Sequence, residues 1–438
     1  MRISDVRRRL NVREWLALLG VVLAAFVFTA VHVANHEALS PVDEYAYLDY
    51  LDKVPTQGIV GDSYTDEFAR EAFLCHGTRG FGGPHQDCDS PAALQDDDAF
   101  PIDGRTSAGI YSPAYFWITW AAAQPFTWAG LDPIVAFRFT GGIWLAAAAA
   151  LMFFALRRLG VGLVSRSAGV LLMTGSLGAY WAHTYVSTDA TALPAGAALL
   201  LVALRILDGQ RHGWLLPVVA ALASLAKLQN LAAVGLISLF LVLAAVADGA
   251  RAPAALWRTR AVRLAVAAVA AGLLAQVIWV VYRSLTADGS ALDLEPAYDF
   301  GPGAVFGEAF RFLPSLDFAV QFPSAMPTTA DNILSGVLGL LGTGGVVGLL
   351  FVARHPDRHA SLAEASLVAA LIVGPLLAVA TYVVAGYYVQ LPVRYGLSML
   401  PAFLACTTCL FDRRPVGRAA VGSVAAVAYV VALSIPNA

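Results

Sequence analysis

Two acidic residues, Asp43 and Glu44, follow directly after the first long apolar stretch of the chain, within residues 40–45. Ionised side chains at the edge of an apolar layer are costly, so they tend to persist where a pathway or a reaction needs them. A carboxylate fixed in such a place has the chemistry of a general base, provided that it reaches the proton it removes. The alternative interpretation is the acidic start of a solvated loop.

Four more charged residues lie at or near the ends of apolar stretches, on the same side as the acidic pair. They are Asp189, Lys227, Arg394 and Arg138. Lys and Arg side chains reach the headgroup level of a membrane, and arginine binds phosphate oxygens with paired hydrogen bonds. We therefore expect all four to contribute to substrate binding, with the cations holding an anionic donor. Asp189 as a helix N-cap and Arg394 as an interfacial anchor are the alternatives for these two. Lys227 pairing with an acid in the bundle and Arg138 binding loop carbonyls are the alternatives for the others.

The composition is that of a membrane protein. Hydrophobic residues make up 58% and charged residues 13% of the 438 residues, and the mean hydropathy is +0.66. About eleven apolar stretches approach the length needed to cross about 30 Å of hydrocarbon. They cover residues 15–34, 132–156, 165–183, 190–207, 213–228, 230–247, 262–283, 332–353, 362–388, 395–411 and 417–434. We predict an all-α polytopic membrane protein with about 11 transmembrane helices.

The topology depends on one more apolar stretch, residues 113–129. Most of the 28 Lys and Arg residues lie in short clusters beside the spans, which is the pattern of cytoplasmic loops. If residues 113–129 lie in the membrane interface, all these clusters are on the cytoplasmic side. If they span the membrane, every later loop changes side, and most clusters are extracytoplasmic. Its Trp and Tyr residues and its flanking prolines favour an interfacial helix. We therefore expect a cytoplasmic N-terminus and an extracytoplasmic C-terminus. A signal peptide is the alternative to the first span, but its apolar core is long for one.

This topology divides the chain into five segments. They are a cytoplasmic N-terminus with the first span (1–34), a first extracytoplasmic loop with juxtamembrane helices (35–131), a transmembrane module (132–283), a second large extracytoplasmic loop (284–330) and C-terminal transmembrane helices (331–438). Both loops lack long periodic apolar patterns. We therefore expect loops and short helices that pack over the membrane bundle, not separate globular domains.

The first loop contains Cys75 and Cys88, with glycines and a proline between them that permit a turn. In an oxidising compartment we expect these two residues to form a disulfide. Zinc binding together with His76 and His85 is the alternative. Cys406 and Cys409 lie in an apolar span, where we expect them to be small packing residues.

Several motifs, taken in order, resemble those of the GT-C superfamily of integral membrane glycosyltransferases. This superfamily includes protein O-mannosyltransferases, aminoarabinose transferases and oligosaccharyltransferase catalytic subunits. The motifs are Pro41-Val-Asp43-Glu44, Tyr111-Ser-Pro113, Phe137-Arg138 through Gly142, Tyr185-Val-Ser-Thr-Asp189, Leu225-Ala-Lys227 and Arg394-Tyr through Pro401. The resemblance covers most of residues 1–230 and is loose beyond. A more particular likeness is to bacterial membrane proteins with a P-x-D-E-x-x-H opening, although Tyr47 stands here in place of the histidine.

The resemblance implies a polyprenyl-phosphate sugar donor and transfer on the extracytoplasmic side of a bacterial plasma membrane. By analogy, Asp43 is the general base and Glu44 orients Asp43 or the acceptor, with exchanged roles as the alternative. Arg394 stabilises the departing phosphate, and a single base implies inversion. Asp189 corresponds to a position that helps to bind a metal in some relatives, but the adjacent acid is missing here. The implied partners are the donor lipid, the surrounding membrane lipid and an extracytoplasmic acceptor, without nucleic acid.

Two other classes of function remain open. A transporter or flippase typically has charges at mid-span and matched repeats in its two halves, and neither is evident in this sequence. A non-catalytic assembly scaffold would use the acidic first loop to bind a partner. The long loop directly after the first span favours the transferase.

Overall fold

A computed structural model describes residues 10–85, 87–286, 299–313, 329–385, 388 and 390–435. In these residues the chain is helical, with isolated bridges between loop residues and no β-strand. Four acids of the predicted second outer loop lie outside the described residues. They are Asp288, Asp293, Glu295 and Asp317.

The described residues form eighteen α-helices. They are α1 (Val12–Val33), α2 (Glu44–Gln57), α3 (Glu67–His76), α4 (Pro91–Leu94), α5 (Ala114–Trp128), α6 (Pro133–Arg158), α7 (Leu163–Thr174), α8 (Leu177–His183), α9 (Ala192–Leu207), α10 (Leu215–Ala226), α11 (Leu231–Ala247), α12 (Pro253–Arg258), α13 (Arg260–Thr286), α14 (Pro302–Gly307), α15 (Thr329–Val352), α16 (Arg358–Ala385), α17 (Leu400–Phe411) and α18 (Pro415–Leu433).

Eight helices in the described part of the chain are long and apolar enough to cross a membrane, and three shorter apolar helices accompany them. Each of the predicted spans overlaps one of these helices. Because membrane-spanning backbone must satisfy its own hydrogen bonds, long apolar helices in this number belong to a polytopic membrane protein. The predicted fold class is confirmed. The count of eleven stays a prediction, since three of the helices are short.

The predicted span 165–183 is broken. α7 ends at Thr174, and α8 begins after Ser176, whose side chain accepts a hydrogen bond from the backbone N–H of Ala179. Gly175 lies at the break, where an added Cβ would stand 3.0 Å from the backbone Cα of Tyr429 in α18. The break between α7 and α8 therefore lies where α18 packs closely against Gly175.

One end of the bundle collects the basic clusters. Glu14 in α1 pairs with Arg157 and Arg166, while Asp208 pairs with both Arg158 and Arg358. Residues from distant parts of the chain thus meet at a single level. The acidic first loop and the candidate site lie at the opposite end of the same helices.

The first loop folds into short helices that share an apolar core with α5 and the start of α6. Tyr50 of α2 stacks on Phe116 of α5 with ring centroids 3.8 Å apart. The predicted disulfide is present between Cys75, in the last turn of α3, and Cys88. α5 also packs against α6. Its position relative to the membrane stays a prediction.

Candidate active site

Asp43 stands at the N-terminus of α2 with an unusual backbone conformation. Its φ of 59° and ψ of 8° lie in the left-handed region, which asparagine and aspartate tolerate better than other residues with a side chain. The carboxylate makes no capping hydrogen bond to α2. It is therefore available to groups outside the helix.

Three further residues of the predicted site, Arg394, Asp189 and Lys227, are linked to Asp43 by a chain of ion pairs. Nη2 of Arg394 lies 3.3 Å from Oδ2 of Asp43, and Nε of Arg394 lies 3.8 Å from Oδ2 of Asp189. Nζ of Lys227 lies 2.5 Å from the other oxygen of Asp189. These four residues form a charged array, with the order Asp43, Arg394, Asp189, Lys227. Two cations and two carboxylates alternate along it.

The array runs from the interior to the surface. The exposed fractions of the side chains are 2% for Lys227, 6% for Asp189, 16% for Arg394 and 40% for Asp43. Charges buried to this extent persist only when they are paired, because desolvation of an unpaired charge is expensive. Asp43 is the member of the array that a solvent-borne acceptor reaches most easily.

Three members of the array lie where α-helical structure is interrupted. Lys227 is extended, between the end of α10 and a 3₁₀ turn at Leu228–Asn230. Arg394 lies on a 3₁₀ helix, Val393–Met399, that leads into α17. Asp189 lies on the 3₁₀ turn Thr188–Thr191, and its backbone N–H donates to the hydroxyl of Ser187. Asp189 therefore does not serve as the N-cap that was its alternative role.

Tyrosine hydroxyls lie beside the array. Tyr47, one turn after Asp43 on α2, donates to the hydroxyl of Tyr111 at 3.2 Å and accepts from Thr188 at 3.3 Å. Burial raises the pKa of Tyr47 well above its usual range, with smaller contributions from Tyr111 and Asp43. The phenol stays protonated and serves as a neutral hydrogen-bonding group. The ring of Tyr395 faces both Lys227 and Arg394.

Glu44 and Arg138 are not part of the array. Arg138 donates to both oxygens of Glu44, at 2.8 and 3.0 Å, and to the carbonyls of His36 and Ala38. Backbone N–H groups of Ser40 and Val186 complete the hydrogen bonds of the carboxylate. Both side chains are buried.

The carboxylate of Glu44 accepts four hydrogen bonds, and none of them comes from Asp43 or an exposed group. Arg138 donates to Glu44 and to loop carbonyls, which is the structural role that was its alternative. A catalytic role of Glu44 and substrate binding by Arg138 stay predictions. Because Val186 lies in the loop before Asp189, the pair joins the two loops that carry the carboxylates of the array.

The disulfide braces the approach to Asp43. Leu39 exchanges backbone hydrogen bonds with the disulfide-closed turn, donating to Gly77 and accepting from Arg79. The ring of His76 bonds to the carbonyl of Glu37. The segment before Asp43 is thus held by Arg138 on one side and by the disulfide loop on the other.

The array does not fit a divalent metal. Both of its carboxylates already contact a guanidinium or an ammonium group, which compete with a metal for the same oxygens. Among the residues that the structure describes, no group of three or more His, Cys, Asp or Glu could hold a metal ion.

The sequence analysis missed the tyrosines. Tyr47 was noted only as a departure from a histidine, and Tyr111 and Tyr395 only as parts of motifs. Two signals were available, since Tyr47 lies four residues after Asp43 on one helix face and Tyr395 adjoins Arg394. The relation of Tyr111 to Tyr47 depends on tertiary packing and had no local signal.

No family model matches the chain, and no curated protein matches it by sequence. Two crystal structures of ArnT from Cupriavidus metallidurans resemble it at 16% sequence identity. One is the apo state, with a TM-score of 0.48, and the other is bound to undecaprenyl phosphate, with a TM-score of 0.49.

The alignments cover 91% and 92% of this chain but 59% and 61% of the ArnT chains. The chain thus spans about three fifths of the length of those structures. At this identity the likeness does not assign an activity.

Proposed function

We propose that the protein is a membrane glycosyltransferase that moves a sugar from a polyprenyl-phosphate donor to an extracytoplasmic acceptor. The observation that carries the proposal is the guanidinium of Arg394 placed between Asp43 and Asp189. A cation that binds phosphate thereby adjoins an accessible carboxylate that accepts protons. Sugar transfer from a lipid phosphate needs a cation for the departing phosphate and a base for the acceptor hydroxyl within one site.

The cationic half of the array suits the leaving group. Arg394 presents a planar fork for phosphate oxygens, and Lys227 adds a second positive charge behind Asp189. Negative charge develops on the phosphate as the bond to the sugar breaks. Donors that are already oriented toward that charge stabilise the transition state without further reorganisation.

Asp43 takes the role of general base in this proposal. It removes the proton from the acceptor hydroxyl while the acceptor oxygen attacks the anomeric carbon. The bond from that carbon to the phosphate oxygen breaks, and its electron pair leaves with the polyprenyl phosphate. The proton passes from Asp43 to solvent. One direct displacement with one base gives inversion at the anomeric carbon.

Glu44 and Arg138 support this chemistry indirectly. Their ion pair fixes the loop before α2 and the loop before Asp189, so that the two carboxylates of the array keep their separation. Small displacements of reacting groups cost large factors in rate. The hydroxyl of Tyr111, which accepts a hydrogen bond from Tyr47, adds a neutral donor beside the same space.

The test is a transfer assay with the full chain in nanodiscs. Polyprenyl-phosphate sugars of several types are supplied together with envelope glycans, glycolipids and peptides as acceptors. The expected result is release of free polyprenyl phosphate together with a glycosylated acceptor of inverted configuration. Passage of intact donor across a proteoliposome membrane without cleavage would instead support a flippase. Donor binding without either event would support a scaffold.

A further inference from the structure

A segment of the predicted second outer loop packs against the bundle, with Glu308, Phe312 and Leu313 buried. Residues 308–313 follow α14 and rest on α16, where the backbone N–H of Phe310 donates to the carbonyl of Ala370 at 2.9 Å. Gly374 makes this contact close, since an added Cβ would stand 2.1 Å from the carbonyl oxygen of Glu308. The segment is therefore seated on a membrane helix and is not a solvated loop.

Glu308 and Arg311 hold one residue from two sides. Oε1 of the buried Glu308 accepts a hydrogen bond from the backbone N–H of Leu391 at 3.0 Å and another from the hydroxyl of Tyr388 at 2.5 Å. Nε of Arg311 donates to the carbonyl of Leu391 at 2.9 Å. Both backbone groups of Leu391 are thus fixed by charged side chains that lie three positions apart.

Leu391 lies three residues before Arg394, and the connection between them is stiff. Pro392 has a locked φ of −59° and directly precedes the 3₁₀ helix that carries Arg394. Beyond Arg394 the same segment makes a second contact, since an added Cβ on Gly396 would stand 2.4 Å from Cβ of Phe312. Residues 308–312 therefore contact the chain on both sides of Arg394.

We propose that Glu308 and Arg311 are positioning residues for Arg394, acting through Leu391 on the guanidinium that binds the donor phosphate. The inference rests on the proposed function for its consequence, although the positioning itself is a property of this chain. Removal of the clamp lets the 3₁₀ helix shift. Arg394 then loses its place between Asp43 and Asp189.

A chemical measurement tests the positioning without any assumption about activity. Phenylglyoxal modification of Arg394, quantified by peptide mass spectrometry, is expected to become about tenfold faster in Glu308→Ala and in Arg311→Ala, the scale of losing one charged hydrogen bond. Glu308→Gln keeps an acceptor oxygen for Leu391 and should stay close to the wild-type rate. The matched control is Asp299→Asn, at an exposed carboxylate near the start of the same segment. An unchanged rate in folded Glu308→Ala protein overturns the proposal.

A binding cycle then tests the link to the donor. Glu308→Ala is expected to raise the Kd for undecaprenyl phosphate about tenfold, and to have no further effect in an Arg394→Ala background, because residues that act through one another are not additive. Full additivity would mean that Glu308 braces the bundle in general, which overturns the proposal. If the wild-type protein binds no polyprenyl phosphate, the proposed function fails, and the phenylglyoxal rates still decide the positioning.

Discussion

Nη2 of Arg394 lies 3.3 Å from Oδ2 of Asp43, although 351 positions separate the two residues. The group that would hold a donor phosphate thus contacts the group that would deprotonate an acceptor. If Arg394 binds the donor phosphate as proposed, that phosphate competes with Asp43 for the same guanidinium. We therefore expect donor binding to release the carboxylate of Asp43, so that the donor binds before the acceptor is activated.

Asp43→Asn keeps the shape of the side chain but removes its ability to accept a proton. We expect sugar transfer to fall by about two to four orders of magnitude, the usual scale for a general base. Binding of undecaprenyl phosphate should be kept, since Arg394 loses only a competitor. Asp98→Asn, at an exposed acid of the same loop, is the matched control. Near wild-type transfer in Asp43→Asn would remove the main support for the transferase.

Replacement of Arg394 should affect binding and turnover together. Arg394→Ala is expected to weaken the binding of undecaprenyl phosphate and to lower kcat, because the guanidinium contacts the phosphate before and during bond cleavage. Arg394→Lys should recover only part of both, since an ammonium cannot make the paired hydrogen bonds. Arg354→Ala, at the basic end of the bundle, serves as the control. Lipid affinity that is equal in wild type and Arg394→Ala would contradict the assignment.

Glu44 should behave differently from its neighbour. Arg138→Met leaves a buried carboxylate unpaired, and we expect the free energy of unfolding to fall by about 3–5 kcal/mol, as for other broken buried pairs. The double variant Glu44→Gln with Arg138→Met should be less destabilised than the sum of its parts. Thermal denaturation of the purified protein measures both. A normal Tm in Arg138→Met with abolished donor binding would return Arg138 to the substrate site.

The stability of the first loop should depend on pH through Asp66. Burial, together with the carboxylates of Asp49 and Asp52, raises the pKa of Asp66 to about 7. Because the folded state holds this proton more tightly than the unfolded state, stability is expected to fall as pH rises from about 4 through about 7. Asp66→Asn keeps the hydrogen bond to the N–H of Ala69 and should abolish this part of the pH dependence. Limited proteolysis of the loop at pH 5 and pH 8 measures the effect, and equal protection in the wild type would contradict it.

The topology is tested by two cysteine substitutions at exposed positions, Asp98→Cys and Asp248→Cys. With α5 in the interface, a membrane-impermeant maleimide should label position 98 from outside and position 248 only after permeabilisation. Labelling of both positions from outside would show that α5 spans.

The sequence was sufficient for the features that depend on local pattern. Apolar stretches predicted the long helices. The position of Cys75 and Cys88 in one extracytoplasmic loop, with glycines and a proline between them, predicted their disulfide. Charge next to apolar runs also selected the members of the array as candidates. For Lys227 the sequence left two roles open, substrate binding and pairing with an acid in the bundle. The structure shows an ion pair with Asp189.

The partners of these residues had no local signal. Arg138 and Glu44 are 94 positions apart, and only the packing of α6 against the first loop brings them together. Glu308 belongs to the predicted second outer loop, and nothing near it in the sequence predicts burial against α16. The break between α7 and α8 likewise depends on contact with α18.

The left-handed backbone at Asp43 restricts which residues can occupy this position over evolutionary time. Asparagine shares its tolerance for this conformation but has no acidity, and glutamate keeps the acidity but is longer and less suited to the turn. Aspartate is therefore the acidic residue best suited to this position. Drift to asparagine would keep the fold and lose the chemistry, so inactive relatives of this protein should be recognisable by that single change.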